Sequence, residues 1–545
     1  MKSLYMYMYL LLLLTTLVSS FSLPQTPSAS KTSPLNSSTS TSLRSKSKST
    51  PNDPYSNRLP PLTTKALTGG LTGGGSIPKP SSPSVFPPSY ILSSSLSSLI
   101  GGYDTGVIAG ALLYLTPALN LGSRPLKIGL IVTACTFGAI LGSVITPQIL
   151  TKQGRVPTLK ISSVLFMLSA GLSGYSPTAN YLICARFIAG IAMGAVSTAV
   201  PLYVSETSPK EERGRYATFP QFMISSGILV SYAVDLCILR FCGGCWRWML
   251  GMAAVPSFAM MVGVFGLKES PRWLAGKGRL EEARSNLESI RKTKDVDVEF
   301  KSILKSVEAE AQASKHQKKE EATLSDLLNN KIARGKLVTV VALQAFQQLA
   351  GINAIVYFTP LILREAGVSS LTSKLLPDPN AASMLSTIIA YSPKIPALIL
   401  ASKLMDKMGR KKLLTTFTPV MSASLVSLAL VFRYLQPGSA LRGGIAVASI
   451  MVYGVTFCLS LGPIPSILSS EVFPQKYRSI GMSTSIFAQW TFNALVTLYF
   501  PVVQSKIGTE NCLWLFAGMC AASGVFSKFR VEETKGKSLE EIGGN

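Results

Sequence analysis

The chain has 545 residues, of which 47% are hydrophobic and 14% charged, with a mean hydropathy of +0.34. This composition is too apolar for a soluble protein of this length and predicts a membrane protein with several spans. The formal net charge of +25 is shared between a basic N-terminal arm and loops on one side of the predicted spans. That bias sets membrane orientation, so we expect no nucleic-acid partner. The single histidine, His316, excludes histidine-based metal and triad chemistry, and we expect neither an enzyme nor a cofactor.

The N-terminal residues predict a targeting segment that is not part of the fold. Residues 1–22 combine Lys2, an apolar run and small residues before Phe21, as a secretory signal peptide does. Residues 23–88 form a basic arm rich in Ser and Thr, whose composition is typical of a transit peptide and cannot build a core. The two together resemble the bipartite plastid address of algae with secondary plastids. The alternative is a plain signal peptide followed by a disordered arm. We therefore expect a plastid envelope location, with the plasma or vacuolar membrane as alternatives.

From Tyr90 onward, apolar stretches of spanning length alternate with short polar loops. Lipid cannot satisfy open backbone groups, so these stretches predict helices. A long polar segment divides them six and six, which predicts an all-α integral membrane protein of two six-helix bundles. The expected parts are an N-terminal bundle over 89–267, a helical linker over 268–335 on the cytoplasmic-type side, a C-terminal bundle over 336–530 and a tail over 531–545. The twelve spans are expected near Gly106, Ala139, Phe166, Ala192, Gly227, Phe258, Gly351, Ile395, Ser424, Val455, Leu495 and Gly518.

The first span contains one acid. Asp104 lies in the motif GGYDTGVIAGAL, and a charged group near the centre of a span costs about 2.5 to 3.5 kcal/mol even on lenient insertion scales. We therefore expect Asp104 to face water, a partner charge or a substrate. The glycines of this motif permit close helix packing; they are Gly101, Gly102, Gly106 and Gly110.

The two halves repeat one another. Arg155 after the second span corresponds to Arg410 after the eighth, and Glu206 after the fourth corresponds to Glu471 after the tenth. Such a duplication is typical of transporters with a site near the membrane midplane. Basic residues follow the even-numbered spans, which places those loops, both termini and the linker on the cytoplasmic-type face.

Eight cysteines are scattered through the chain, and one pair, Cys242 and Cys245, has CxxC spacing. A single pair without a second pair or a nearby histidine argues against a zinc site. We expect these two cysteines to pack at the end of a helix.

A series of motifs resembles the sugar porters of the major facilitator superfamily, and most closely plastid D-xylose-proton symporter-like proteins of plants and algae. The resemblance extends from Gly101 to Ile542. It implies a twelve-helix carrier that moves a monosaccharide, hexose or pentose, together with a proton by alternating access in a lipid bilayer. It leaves the oligomeric state open. The motifs are GGYDTGVIAG, ARFIAGIAMG, PLYVSETSPKEERGR, ESPRWL, QQLAGINAIVYF, MDKMGRKK, GPIPSILSSEVFP and ETKGKSLEEI.

Amide side chains in the fifth, seventh and eleventh spans are the candidate sugar ligands, because an amide both donates and accepts hydrogen bonds. Asn353 and Tyr357 share one helix face. Interhelical bonding of the amides is the alternative reading, and Trp490 could stack on a pyranose ring. The resemblance implies sugar binding by Gln221, Gln347, Gln348, Asn353 and Asn493.

Three positions depart from the family pattern. Lys394 occupies a position where many relatives have asparagine, and we expect it to find an acid or water, or to snorkel to the interface. Ser466 occupies a position where many relatives have tryptophan, which reshapes the pocket. Thr151 replaces an acid in the loop TKQGRV, which weakens the latch of the first half relative to that of Asp406.

The resemblance also implies roles for the charged residues. Proton-coupled members carry aspartate at the position of Asp104 whereas facilitators commonly carry asparagine, and Arg186 is the expected counter-charge. A passive uniporter and a non-transporting sugar sensor remain alternatives. Loop residues are expected to form ion pairs that close the cytoplasmic side; they are Arg155, Glu206, Arg213, Arg215, Glu269, Arg272, Asp406, Arg410, Glu471 and Arg478.

Overall fold

The computed structural model describes residues 88–209, 216, 219–317, 324–372, 376 and 378–535, without the side chains of residues 88, 89, 310–317, 372, 406, 475 and 479. The proposed signal segment, nearly all of the arm, Arg213 and Arg215 lie outside these residues. The described part is all-helical and contains no strand. Its helices are α1 Pro88–Ala118, α2 Pro125–Gln153, α3 Arg155–Tyr175, α4 Ala179–Thr207, α5 Phe219–Cys242, α6 Trp246–Gly251, α7 Ala254–Phe265, α8 Pro271–Gly276, α9 Leu280–Arg291, α10 Asp297–Gln317, α11 Leu324–Asn329, α12 Lys331–Leu349, α13 Ile352–Ala366, α14 Ser369–Thr372, α15 Pro379–Tyr391, α16 Lys394–Met408, α17 Arg410–Tyr434, α18 Ala440–Leu459, α19 Ile464–Glu471 and α20 Arg478–Arg530.

Eleven helical segments of the described chain are long and apolar enough to cross a membrane. The last of them, α20, has 53 residues but is interrupted at Gly508, whose φ of 83° and ψ of 162° are not helical. This kink divides α20 into the eleventh and twelfth spans. The all-helical fold predicted from the sequence is confirmed.

Four spans are broken near their middle or end. The sixth consists of α6 and α7, the seventh of α12 and α13, the eighth of α15 and α16, and the tenth of α18 and α19. The seventh breaks at Gly351, which has a left-handed φ of 87°. The tenth breaks at Gly462 and Pro463 of the GPIP motif, because proline cannot donate a helical hydrogen bond. Broken helices inside a membrane are tolerated where neighbouring side chains satisfy the freed backbone groups.

Three side chains supply those missing hydrogen bonds. Gln347 Nε2 donates to the carbonyls of Leu461 and Gly462, both at 2.7 Å. Tyr453 OH donates to the carbonyl of Ala350 at 2.9 Å. Tyr232 OH donates to the carbonyl of Val356 at 2.9 Å, a group left free because Pro360 one turn later has no N–H.

Close helix packing in the N-terminal half depends on glycine. A Cβ atom on Gly190 of α4 would lie 2.1 Å from the carbonyl oxygen of Cys135 on α2. A Cβ atom on Gly106 of α1 would lie 2.0 Å from Ser231 Oγ on α5. No side chain fits at either position, as expected for Gly106. Gly101 differs, since its Cβ would lie 3.7 Å from the nearest atom, Met193 Cγ.

The helices between the two halves pack on the end of α4. Arg291 at the end of α9 donates from Nη1 to the carbonyl of Thr207 at 2.8 Å, and its Nη2 lies 2.6 Å from Glu299 Oε1 on α10. Leu274 of α8 and Ala283 of α9 belong to one apolar cluster beneath these helices. The connection between the halves is therefore attached to the N-terminal bundle.

The glycine contacts give a first prediction. We expect Gly190→Ala to destabilise the protein by about 1 to 3 kcal/mol, because the methyl group overlaps the backbone of α2. Gly171→Ala on α3 is the matched control: Gly171 is exposed with no atom within 4 Å of its Cβ position, so the change is neutral or slightly stabilising. Thermal unfolding in detergent measures both, and equal midpoints for the two variants would contradict the packing argument.

Candidate functional site

The acid of the first span lies against an arginine of the fourth. Asp104 on α1 is 9% exposed and Arg186 on α4 is 1% exposed. Arg186 Nη2 is 3.3 Å from Asp104 Oδ2, and Nη1 donates to Oδ1 at 3.4 Å. Cys135 on α2 adds a third contact from Sγ to Oδ2 at 3.3 Å. These N–O distances exceed the 2.7 to 2.9 Å or so of strong charge-assisted hydrogen bonds, so the two residues are in contact but loosely held.

Tyr357 connects this pair to the C-terminal half. It lies on α13, is 5% exposed, and lies near Asp104 and Arg186 and beside Thr105 of α1. Tyr357 is one helical turn beyond Asn353, so the acid pair and the seventh-span amides are neighbours.

The seventh-span amides form a continuous chain. Asn353 Nδ2 donates to Gln348 Oε1 at 2.6 Å, and Gln348 Nε2 donates to Gln347 Oε1 at 3.0 Å. The chain ends where Gln347 binds the broken tenth span. Gln347 thus acts as interhelical glue, while Asn353 and Gln348 keep unused donor and acceptor positions for a ligand.

The other three expected sugar ligands lie on other helices, α5 and α20. Gln221 on α5 is exposed, and Trp490 and Asn493 on α20 are half-buried. Asn493 Oδ1 is buried without a hydrogen-bond partner among the described residues. None of the three is hydrogen-bonded to the amide chain within the described part of the structure.

Lys394 finds an aromatic partner instead of an acid. Its Nζ donates to Tyr391 OH at 3.2 Å and lies 4.6 Å from the centroid of the same ring, with the Phe457 ring at 5.9 Å. Among the described side chains, no carboxylate pairs with it. The sequence predicts an acid or water as its partner, and the acid is not among the described contacts, because the start of α16 lies beside aromatic residues, which attract cations through their ring faces. Ser466, the other departure in this half, is exposed.

Two loop ion pairs repeat in the two halves. Arg155 at the start of α3 binds Glu206 near the end of α4 at 2.6 Å, and Arg410 at the start of α17 binds Glu471 at the end of α19 at 2.8 Å. Each pair joins elements of one half. In this state the pairs tie helices together within a bundle and do not bridge the two bundles.

A carboxylate caps the helix beside each pair. Glu269 accepts hydrogen bonds from the backbone N–H groups of Arg155 and Val156, both at 3.0 Å. Glu533 accepts from the N–H groups of Arg410 and Lys411 at 2.8 and 3.1 Å. Both carboxylates face helix N-termini, where negative charge is favourable. We did not identify Glu533 from the sequence, although the likeness of ESPR and ETKG in the two halves could have indicated it.

The structure describes the side chains of two of the remaining loop residues that were expected to form ion pairs. Arg272 is half-buried on α8. Arg478 donates to the carbonyl of Phe473 at 3.5 Å. The ion pair expected between Arg478 and an acid is not among the described contacts, because the arginine turns back toward the preceding loop. The side chain of Asp406 lies outside the described residues, as do Arg213 and Arg215.

A second buried acid also escaped the sequence prediction. Asp235 on α5 is fully buried, and neither carboxylate oxygen has a hydrogen-bond partner in the described structure. It lies against Gly110 of α1, where an added Cβ would be 2.3 Å from Oδ2. The signal that identified Asp104, an acid inside an apolar span, applies equally to Asp235.

The two halves meet at the end of the molecule away from the linker helices. Thr133 donates to Thr497 at 3.0 Å, and the Tyr232 ring packs edge-on against Tyr391 with centroids 5.5 Å apart. Tyr114 OH on α1 lies 3.5 Å from Asp378 Oδ2 at the start of α15. The described structure therefore brings the two halves into contact at this end, which the sequence predicts to be the non-cytoplasmic one.

Comparison with known proteins agrees with this arrangement. Over residues 90–544 the chain matches the family model described as "Sugar (and other) transporter". The chain belongs to this sugar transporter family. Plastidic glucose transporter 4 of Arabidopsis thaliana is 34% identical over 448 residues, which cover 82% of this chain and 78% of that relative. The galactose-proton symporter of Escherichia coli is 32% identical over 448 residues, which cover 82% and 92%.

Solved structures of the sugar transporter family show the same architecture. The inward open conformation of the xylose transporter XylE from E. coli matches with a TM-score of 0.70 at 27% identity, covering 83% of this chain and 98% of that one. This likeness supports the twelve-helix fold with two bundles.

The capping carboxylates give a second prediction. We expect Glu533→Ala and Glu269→Ala each to destabilise the protein by about 1.5 to 3 kcal/mol, because two charge-assisted backbone hydrogen bonds are lost. Glu510→Ala is the control, since Glu510 pairs with the exposed Arg433, whose side chain is 58% accessible, and such pairs contribute about 0 to 1 kcal/mol. Thermal midpoints of the three variants in detergent test this; a Glu533→Ala midpoint equal to that of Glu510→Ala would argue against capping.

Proposed function

We propose that this chain is a secondary active monosaccharide carrier that couples sugar movement to protons by alternating access. The observation that carries the proposal is the contiguity of Asp104, Arg186, Tyr357 and Asn353: a possible proton site in one half adjoins a possible sugar site in the other. Coupling needs such an adjacency, because events at one site must change the energy of the other.

The relatives support the same conclusion. One is named a galactose-proton symporter, and the solved neighbours include structures of a xylose transporter. By this analogy the substrate of our chain is a neutral hexose or pentose and the coupling ion is a proton.

Sugar would bind to the free positions of the amide chain. Gln348 and Asn353 offer both donors and acceptors, which match neighbouring hydroxyl groups. Gln221, Trp490 and Asn493 would contact the sugar from α5 and α20. Each hydrogen bond contributes about 0.5 to 1.5 kcal/mol net, which suits a site that must release its ligand.

Proton coupling would act through Asp104. Burial disfavours a charged carboxyl group, whereas a neighbouring guanidinium favours it. When the site opens to the non-cytoplasmic side, a proton on Asp104 would free Arg186, and sugar binding would draw α13 with Tyr357 toward the N-terminal half. After opening to the cytoplasmic side, proton loss would restore the Asp104–Arg186 contact. The contact present in this cytoplasm-facing state fits the end of that sequence.

We further propose the plastid envelope as the host membrane. Two features support this location: the transit-like composition of residues 23–88 and the similarity to a plastidic glucose transporter. A fluorescent fusion to the C-terminus, imaged in an alga with secondary plastids, tests the location.

The proton site gives a third prediction. We expect Asp104→Asn to abolish accumulation of sugar against its gradient in proteoliposomes under an imposed pH difference, while counterflow exchange continues. Asp235→Asn is the matched control: it also neutralises a buried acid of the N-terminal half, but one that contacts no arginine in the described structure. It should keep accumulation. Accumulation by Asp104→Asn would show that coupling runs elsewhere, and pH-independent exchange by the unchanged protein would favour a uniporter.

The sugar site gives a fourth prediction. We expect Gln348→Ala to raise the KM for the transported sugar about tenfold, the effect of losing about 1.4 kcal/mol of binding. Gln344→Ala, one turn earlier on α12 and outside the amide chain, should leave KM unchanged. Uptake of radiolabelled hexoses, pentoses and polyols measures both variants and identifies the preferred sugar. Equal KM values for the two variants would remove Gln348 from the site.

A further inference from the structure

The turn between α5 and α6 carries the CxxC pair at the closed end of the molecule. Cys242 ends α5, Cys245 precedes α6, and Gly243 and Gly244 lie between them. Their φ angles of 61° and 92° are both positive, and the chain bends at Gly243. Two glycines make such a turn possible without strain.

The turn brings the two cysteines together. Cys245 Sγ lies 3.4 Å from the carbonyl oxygen of Cys242. This contact places the thiol of Cys245 beside the backbone of Cys242, and a disulfide needs Cα atoms about 4.4 to 6.8 Å apart. Both side chains are exposed. The sequence prediction that they pack at a helix end is therefore wrong, because the turn projects from the end of α5.

The same turn touches the contact that closes the two halves. Gly244 is buried, and a Cβ atom there would lie 2.2 Å from the Tyr114 ring. Tyr114 OH in turn reaches Asp378, whose side chain caps the start of α15 by accepting from Asn380 N at 3.1 Å. A series of direct contacts thus leads from the cysteine turn through Tyr114 to the C-terminal half.

We propose that Cys242 and Cys245 form a reversible disulfide, and that its oxidised form stabilises closure of the non-cytoplasmic end. The oxidant is a low-molecular-weight disulfide. The thiolate of one cysteine attacks it, giving a mixed disulfide and one free thiol, and the thiolate of the other cysteine then displaces the second thiol. Two electrons pass to the external disulfide, and the protons of the two protein thiols end on the two thiols released.

The effect on closure follows from the loss of freedom in the turn. The structure can open to the non-cytoplasmic side only if Tyr114 separates from Asp378, and Tyr114 rests on Gly244. A bond across the turn holds Gly244 in its present position and so favours the closed arrangement. This second part rests on the proposed transport function; the disulfide itself does not.

Thiol mapping tests the disulfide without any transport assay. Purified full-length protein is treated with oxidised or reduced glutathione, denatured in maleimide and digested. We expect the peptide with Cys242 and Cys245 to carry two maleimides after reduction. After oxidation it should carry none and be lighter by two hydrogen atoms than the free dithiol peptide. Cys184, which is also exposed, is the internal control and should not lose maleimide labelling to an internal disulfide. Maleimide or glutathione on both turn cysteines after oxidation would overturn the proposal.

Uptake into proteoliposomes tests the effect on closure. We expect oxidised glutathione to slow initial uptake about fivefold, at the low end of the usual range for coupled sites, and dithiothreitol to reverse it. The Cys242→Ser/Cys245→Ser double variant should be insensitive, and Cys184→Ser should respond as the unchanged protein does. Equal slowing of the double variant would overturn the link to closure. Absence of uptake under all conditions would count against the transport function and that link together, while the thiol map would still decide the disulfide.

Discussion

Backbone carbonyls freed inside the membrane must find donors within the protein, because lipid offers none. Breaks in the seventh and tenth spans, and a proline in the seventh, free such groups at Ala350, Val356, Leu461 and Gly462. The side chains that satisfy them also line or adjoin the proposed site: Gln347 holds one end of the amide chain, and Tyr232 joins the two halves. The polar side chains of the site are thus hydrogen-bonded to the irregular backbone around them. The same hydrogen bonds therefore stabilise the fold and position the site.

The ion pairs at the site and at the repeated loops each lie inside one half. Asp104 contacts Arg186, and Arg155 and Arg410 each bind an acid of their own bundle. Pairs within a half can remain intact while the bundles rock, so the rocking need not separate these charges. Lys394 is different, because its described partners are aromatic.

The polar contacts between the halves described above involve mainly uncharged groups. They consist of hydroxyl and aromatic contacts such as Thr133 with Thr497 and Tyr232 with Tyr391, with Tyr114 beside Asp378 at the rim. Individual hydrogen bonds of this kind contribute about 0.5 to 1.5 kcal/mol. The proposed bond across the cysteine turn would act beside one of these contacts, that of Tyr114 with Asp378.

Hydropathy and motif spacing are local properties, and the sequence alone determined what depends on them. These features are the spanning helices, the repeat that relates Arg155 to Arg410, and the acid of the first span, Asp104. Residue contacts between distant helices are not local. Only the tertiary structure decided that Lys394 meets Tyr391, that Glu533 caps α17, that Asp235 is buried without a partner and that Cys242 and Cys245 are exposed. Each of these contacts depends on which helix faces meet. The packing of glycine surfaces and of broken spans determines those faces, and no single segment of the sequence specifies it.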